Sequence, residues 1–156
     1  MTINETWAYN KNDRNFKSPT VLIRMLVEVA SKGGNLLLDV GPTPEGTIQP
    51  EFQERLREIG KWLKVSGEAI YGTTYGPLYG LPFGRSTARG NTVYLHIFDW
   101  PQGKLELSMP ERRVSQVTLL AGRKVLPFRQ SQDKLVVDIP SQAPDPHVSV
   151  LAIEAR

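Results

Sequence analysis

The sequence contains no cysteine. That excludes disulfides and thiolate metal sites, and it permits a cytoplasmic location. Histidine is nearly as scarce. His96 and His147 are the whole complement, and they lie far apart in sequence, on or beside β segments. Neither a histidine metal cluster nor a histidine general base is expected from them. No apolar run approaches the roughly 18 residues that span a membrane, so no membrane segment is expected. The opening residues Met1-Thr2-Ile3-Asn4-Glu5 lack a basic stretch followed by an apolar one, the mark of a secretory signal. There is no cluster of one charge sign either. The net charge is +3 and the basic residues are spread along the chain, which argues against nucleic acid as a partner. Gly-x-Ser-x-Gly, Gly-x-Gly-x-x-Gly and the Walker pattern are all missing. Their absence sets aside nucleophile-elbow hydrolases and phosphate-cradling loops, and with them any expected cofactor.

What is present is an ordinary folded composition. The 156 residues are 40% hydrophobic and 22% charged, enough for one domain or two small ones. The residues Leu36-Leu37-Leu38-Asp39-Val40 form a short apolar run without period-2 alternation. Such a run reads as a strand buried on both faces, as in a parallel sheet covered by helices. Gly33-Gly34 precedes it and the loop Gly41-Pro42-Thr43-Pro44-Glu45-Gly46 follows. Asp39 is its one polar residue and lies near the C-terminal end, the end that carries active sites in barrel-type α/β folds.

Upstream, residues 1–17 are polar and aromatic and read as a loop after a short strand around Thr2-Ile3. Trp7, Tyr9 and Phe16 either cap the edge of a core or face a ligand. Ser18 and Pro19 are a favoured helix N-cap and first position. Leu22, Met25, Leu26 and Val29 follow at helical spacing, and Gly33-Gly34 stops the helix. A second helix starts at Pro50, with Glu51 suited to its first turn. Its expected apolar stripe is Phe52, Leu56, Ile59 and Leu63, with Trp62 beside it, and Gly67 is expected to end it. Loop, helix, strand, loop and helix in that order are the grammar of an α/β sheet.

Near residue 72 the character changes. Gly72, Gly76, Pro77, Gly80, Pro82 and Gly84 mark an irregular linker over 72–84. Beyond it, strands are expected at 93–98, 104–107, 114–120, 134–139 and 148–154, a spacing that suggests a small antiparallel sandwich over 85–156.

The remaining chemistry is that of carboxylates. Glu5, Asp39 and Glu45 are the acids placed where strand ends and loops could converge. A retaining glycosidase needs two carboxyls about 5–5.5 Å apart, and sequence alone does not fix a distance. The bland role of each acid stays open beside the catalytic one: Asp39 as a hydrogen-bond anchor for the next loop, Glu5 and Glu45 as solvated loop residues.

Several motifs together resemble one family. They are Asn4-Glu5-Thr6-Trp7-Ala8-Tyr9-Asn10, Phe16-Lys17-Ser18, the run from Ser31 to Gly46, Glu54-Arg55-Leu56 with Gly60-Lys61-Trp62-Leu63, and Gly67-Glu68-Ala69-Ile70-Tyr71. They resemble the C-terminal part of the α-L-fucosidases of glycoside hydrolase family 29. Ala8 and Asp39 depart mildly from the family pattern, where Gly and Asn are frequent. The resemblance implies that residues 1–71 are the last two strand–helix units of a (β/α) barrel and that a β-sandwich follows. It implies retaining hydrolysis of terminal α-linked fucose, with a fucosylated glycan or aryl fucoside as substrate. It places Phe16 against the fucose methyl group and Trp7 in the active-site loop, with Tyr9 beside it. The family's nucleophile and acid/base would both precede Met1, so Glu5 is not the acid/base by alignment. Two units of a barrel would leave strand edges and the helix face Phe52/Leu56/Ile59/Leu63 uncovered. A homo-oligomer or a complementing barrel chain is therefore expected.

Overall fold

The computed structural model describes residues 1–109 and 112–156. The first helix, α1 (Pro19–Ser31), starts and stops on local signals. The Ser18 hydroxyl accepts a hydrogen bond from the Val21 N–H, a cap contributing about 1 kcal/mol. At the other end the Gly33 and Gly34 N–H groups donate to the carbonyls of Ala30 and Val29, with Gly33 at φ 74°. This is the Schellman arrangement, which needs a left-handed residue at that point. The second helix, α2 (Pro50–Ser66), has Pro50 in its first turn and no side-chain cap. As expected, α2 ends at Gly67, its C-cap, whose N–H donates to the Leu63 carbonyl. A 3-10 turn, Gly67–Ala69, follows.

Among the described residues nine strands follow: β1 (Thr74–Tyr75), β2 (Gly84–Arg89), β3 (Thr92–Ile97), β4 (Lys104–Ser108), β5 (Val114–Leu119), β6 (Lys124–Val125), β7 (Phe128–Ser131), β8 (Lys134–Asp138) and β9 (Ser149–Ala155). They form a six-stranded sheet in the order β1-β2-β3-β9-β5-β6 and a three-stranded sheet in the order β4-β8-β7. Every named pairing is antiparallel. The fold is therefore mixed, helices plus an antiparallel β-sandwich. The five expected strands form within one or two residues of their expected ends. Residues 72–84, read above as a linker, contain β1, and Leu78, Leu81 and Phe83 pack against the sandwich core.

The larger sheet is covered on both faces. One face, including Leu95, Val117, Leu151 and Ile153, meets Leu105, Leu107, Leu135 and Val137 of the smaller sheet. The other face offers Tyr94, Val150 and Ala152 to Ile23 and Val27 of α1 and to Trp62 of α2. A third cluster, Ile3 with Leu22 and Phe52, lies on the far side of the helices and takes in Phe16, Leu38 and Val40.

Three expectations are corrected by this packing. Most of the helix face expected to be bare is covered: Phe52 is buried with Ile3 and Leu22, and Ile59 and Leu63 pack against buried clusters. Leu56 does not belong to the buried stripe and is 41% exposed. The helix is rotated so that Phe52, Trp62 and Ser66 point inward. The run at 36–40 is not a strand buried on both faces. It makes one parallel bridge, Thr2 to Asp39, and Leu37 is 76% exposed. Burying both faces requires neighbouring layers, and here only one side of the segment has them.

His96, on β3, is wholly buried. The Thr87 hydroxyl donates to the Ala69 carbonyl at 2.6 Å, so its oxygen accepts from His96 Nε2 at 3.0 Å. That contact places the ring proton on Nε2. Nδ1 is left buried without a hydrogen-bond partner among the described residues. Burial pushes the imidazole down from its ordinary 6.5 to about 3.

Candidate functional site

The loop over residues 4–17 is built around one carboxylate. Asp13 accepts hydrogen bonds from the Glu5 N–H at 3.0 Å, the Thr6 hydroxyl at 3.3 Å and the Asn15 N–H at 3.0 Å. These bonds, led by that from Asn15, hold its carboxyl below the usual range. Asn10 repeats the device by accepting from the Asn12 N–H. Short polar side chains that bond their own backbone two residues on are the reason such a segment folds as a fixed loop. Lys17 closes it, its ammonium donating to the carbonyls of Thr2 and Asn4.

The residues singled out by sequence fall on this frame. Trp7 is 68% exposed and Tyr9 is half-buried. Phe16 is half-buried at the seam between the loop and α2. Its ring meets Phe52 edge-on, with centroids 5.4 Å apart, and the Arg55 guanidinium lies 5.2 Å from its centroid. Arg55 is itself fixed by donating to the carbonyls of Lys17 and Glu51. Sequence reading missed Asp13, Lys17 and Arg55 as the groups that position the aromatics. Only Asp13 carried a local signal, as the first residue of an Asp-x-Asn turn.

The second loop leans on the first. A Cβ at Gly41 would lie 2.6 Å from the Tyr9 nitrogen and 2.7 Å from the Ala8 carbonyl carbon. Only glycine allows the two backbones to approach this closely. Beyond Gly41, the Thr43 N–H donates to the Thr47 carbonyl and the Gly46 N–H to the Thr43 carbonyl, closing a tight turn that exposes Glu45. Asp39 anchors its loop through its backbone, donating its N–H to the Met1 carbonyl at 2.8 Å. Its carboxylate accepts no hydrogen bond from the other described residues. Glu5 is exposed. The loops therefore bring aromatic and polar surface together.

Beside Asp13 is a polar hollow of ≈ 320 Å³ edged by Glu5, Asn10 and Asn12. Among the described residues no group of three or more His, Cys, Asp or Glu side chains could hold a metal ion. Nor is any helix among the described residues long and apolar enough to cross a membrane.

Two family models match almost end to end along the chain. The α-L-fucosidase model matches residues 1–68, and the α-L-fucosidase C-terminal domain model matches residues 83–154. The α-L-fucosidase of Branchiostoma floridae is 36% identical over 136 residues, covering 78% of this chain and 29% of that protein. Human tissue α-L-fucosidase is 34% identical over 147 residues, covering 89% of this chain and 32% of that protein. The chain thus spans about a third of the length of these relatives. Among solved structures, α-L-fucosidase isoenzyme 1 from Paenibacillus thiaminolyticus superposes with a TM-score of 0.93 at 35% identity, over 100% of this chain and 39% of that one. An α-L-fucosidase from Bacteroides thetaiotaomicron, solved as a trapped covalent intermediate, superposes with a TM-score of 0.89 at 28% identity, over 100% of this chain and 37% of that one. This chain belongs to the α-L-fucosidases of glycoside hydrolase family 29 and corresponds to their C-terminal part.

Proposed function

We propose that the chain works in a retaining α-L-fucosidase acting on terminal α-linked fucose, and that it supplies aromatic walls of the sugar site rather than the reacting carboxylates. The observation that carries this is the placement of Trp7, Tyr9 and Phe16 on one loop, fixed by Asp13 and Lys17 and pressed against Gly41 of the next. A trapped covalent intermediate in a similar structure supports the retaining course. In this reading Phe16 faces the fucose methyl group, and Thr2 and Asp39 sit on the last two parallel strands of a barrel. The strand edge carrying the exposed Leu37 then pairs with further barrel strands, from a second copy or a complementing chain.

The test combines light scattering with release of nitrophenol from a nitrophenyl α-L-fucoside. The expected result is self-association, or activity that appears only with a polypeptide supplying the rest of a barrel. A stable 17.5 kDa monomer that hydrolyses the fucoside unaided would overturn it. The second reading, a carbohydrate-associated module without turnover, is favoured by the exposure of Glu5 and Glu45 as solvated loop residues. It predicts association without hydrolysis under every pairing.

A further inference from the structure

On another part of the surface the C-terminal turn of α1 faces the segment 75–81 across a cleft of ≈ 630 Å³. That size falls within the span of about 300–1,000 Å³ usual for small-ligand sites. Two tyrosines line it, Tyr75 and Tyr79, and they are 59% and 72% exposed. Tyr75 is held in place from behind, and the chain leading to Tyr79 is fixed. Tyr75 belongs to β1 and pairs with Thr87 of β2, and its Cδ1 would lie 3.8 Å from a Cβ at Gly33. The chain between the tyrosines is pinned at Ser86, whose hydroxyl accepts from the Leu78 N–H and donates to the Leu78 carbonyl, each at 3.0 Å. Gly76 passes so close to Ser86 that any side chain there would collide with it.

The polar lining is equally fixed. Glu28 is held by Lys32 at 2.7 Å and by Arg85 at 2.6 Å. Arg85 also donates to the carbonyls of Leu81 and Gly84. Fixed donors and a fixed acceptor thus stand beside aromatic carbon, with the charges committed to one another. Both cations of the lining, Lys32 and Arg85, are already paired with Glu28. A pyranose has what this surface lacks: hydroxyls that both give and take hydrogen bonds, and a C–H face that lies against a tyrosine ring.

We propose that this cleft is a second sugar site, separate from the 4–17 and 41–47 loops, which takes a neutral oligosaccharide against Tyr75 and Tyr79. The proposal rests on the reading of the chain as part of a glycan-handling protein. The test is amide chemical-shift mapping of the full chain titrated with 2′-fucosyllactose, and with lactose to separate fucose from core-sugar recognition. The expected result is shifts at Lys32, Tyr75, Gly76 and Tyr79, with a Kd on the order of 1 mM. Tyr79→Ala is expected to weaken binding about tenfold, the loss of one good contact, and Val125→Ala, on β6 outside the cleft, to leave it unchanged. Tyr79 is exposed, so its truncation does not endanger folding. Cleft shifts with either sugar support the proposal. Shifts confined to Trp7, Tyr9 and Phe16 would overturn it while supporting the proposed function. No shifts at the cleft, or cleft shifts unaltered in the Tyr75→Ala/Tyr79→Ala double variant, would also overturn it.

Discussion

The indole N–H of Trp62, on α2, donates to the carbonyl oxygen of Val148, 86 residues away, at 2.8 Å. Trp62 is 2% exposed and packs where helices and larger sheet meet. One side chain thereby fastens the helical part to the sandwich with both a directional bond and a large buried surface.

Removing the N–H while keeping an aromatic ring should be costly. Trp62→Phe is expected to destabilise the chain by about 1–3 kcal/mol, because the Val148 carbonyl stays buried without its donor. Trp62→Ala should cost more, about 3–5 kcal/mol. Urea unfolding is the measurement. An unchanged midpoint for Trp62→Phe would show that water replaces the indole.

Stability should also fall as the solution is acidified below neutrality. The unfolded chain protonates His96 near 6.5, whereas the folded chain resists until about 3. Between those values the unfolded state holds more protons, so falling pH favours it, by up to about 1.4 kcal/mol per pH unit. The contribution is full above 6.5 and lost on the way to 3. Comparing urea midpoints at pH 7 and 5 tests this. His96→Gln, which still offers a donor to Thr87, should remove His96's share of the slope. A slope identical in both proteins would assign the acid sensitivity elsewhere.

A methyl group at Gly41 should separate the two loops. Its Cβ would sit 2.6 Å from the Tyr9 nitrogen, and backbone cannot yield as a side-chain tip does. Gly41→Ala is expected to cost about 1–3 kcal/mol, the range for overpacking, and to expose the Ala8 and Tyr9 amides to hydrogen exchange. Unaltered exchange at those amides would mean that the contact is not restrictive.

Asp13→Ala should loosen the aromatic loop without unfolding the chain. Three donors lose one acceptor, so exchange at Glu5 and Asn15 is expected to quicken while the sandwich stays protected. The native chain should show the same loosening in acid. A carboxyl held below its ordinary 3.8 stabilises the folded loop above that value and loses its contribution as pH falls through its lowered pKa. Exchange insensitive to both changes would place the loop's order in Lys17 alone.

Some of this was legible because its causes are local. Ser18, Pro19 and Gly33-Gly34 delimit α1 whatever surrounds it, since capping involves only neighbouring residues. Strands β3, β4, β5, β8 and β9 carry apolar residues in a pattern that survives in isolation. Strand β2, Gly84–Arg89, gave no such signal. It is polar, yet it lies beside β3 with Ser86 and Thr87 buried, their hydroxyls satisfied by Leu78 and Ala69. The site was legible in its aromatics and not in its support. Trp7, Tyr9 and Phe16 stand out by type, whereas Lys17 and Arg55 act through carbonyls that only the folded chain brings within reach.

By itself the sequence determined the helix ends, five of the strands, the change of character near residue 72 and the family, because each is written in neighbouring residues or in long ordered motifs. Only the tertiary structure decided which faces are covered. Leu36–Val40 reads as buried, yet Leu37 faces outward; Phe52, Ile59 and Leu63 read as one apolar stripe with Leu56, yet Leu56 faces solvent. Burial belongs to pairs of surfaces, and a run of residues specifies only one of the two. The strand that looked sealed is joined by a single bridge, Thr2 to Asp39, and the helices that looked bare rest on the larger sheet.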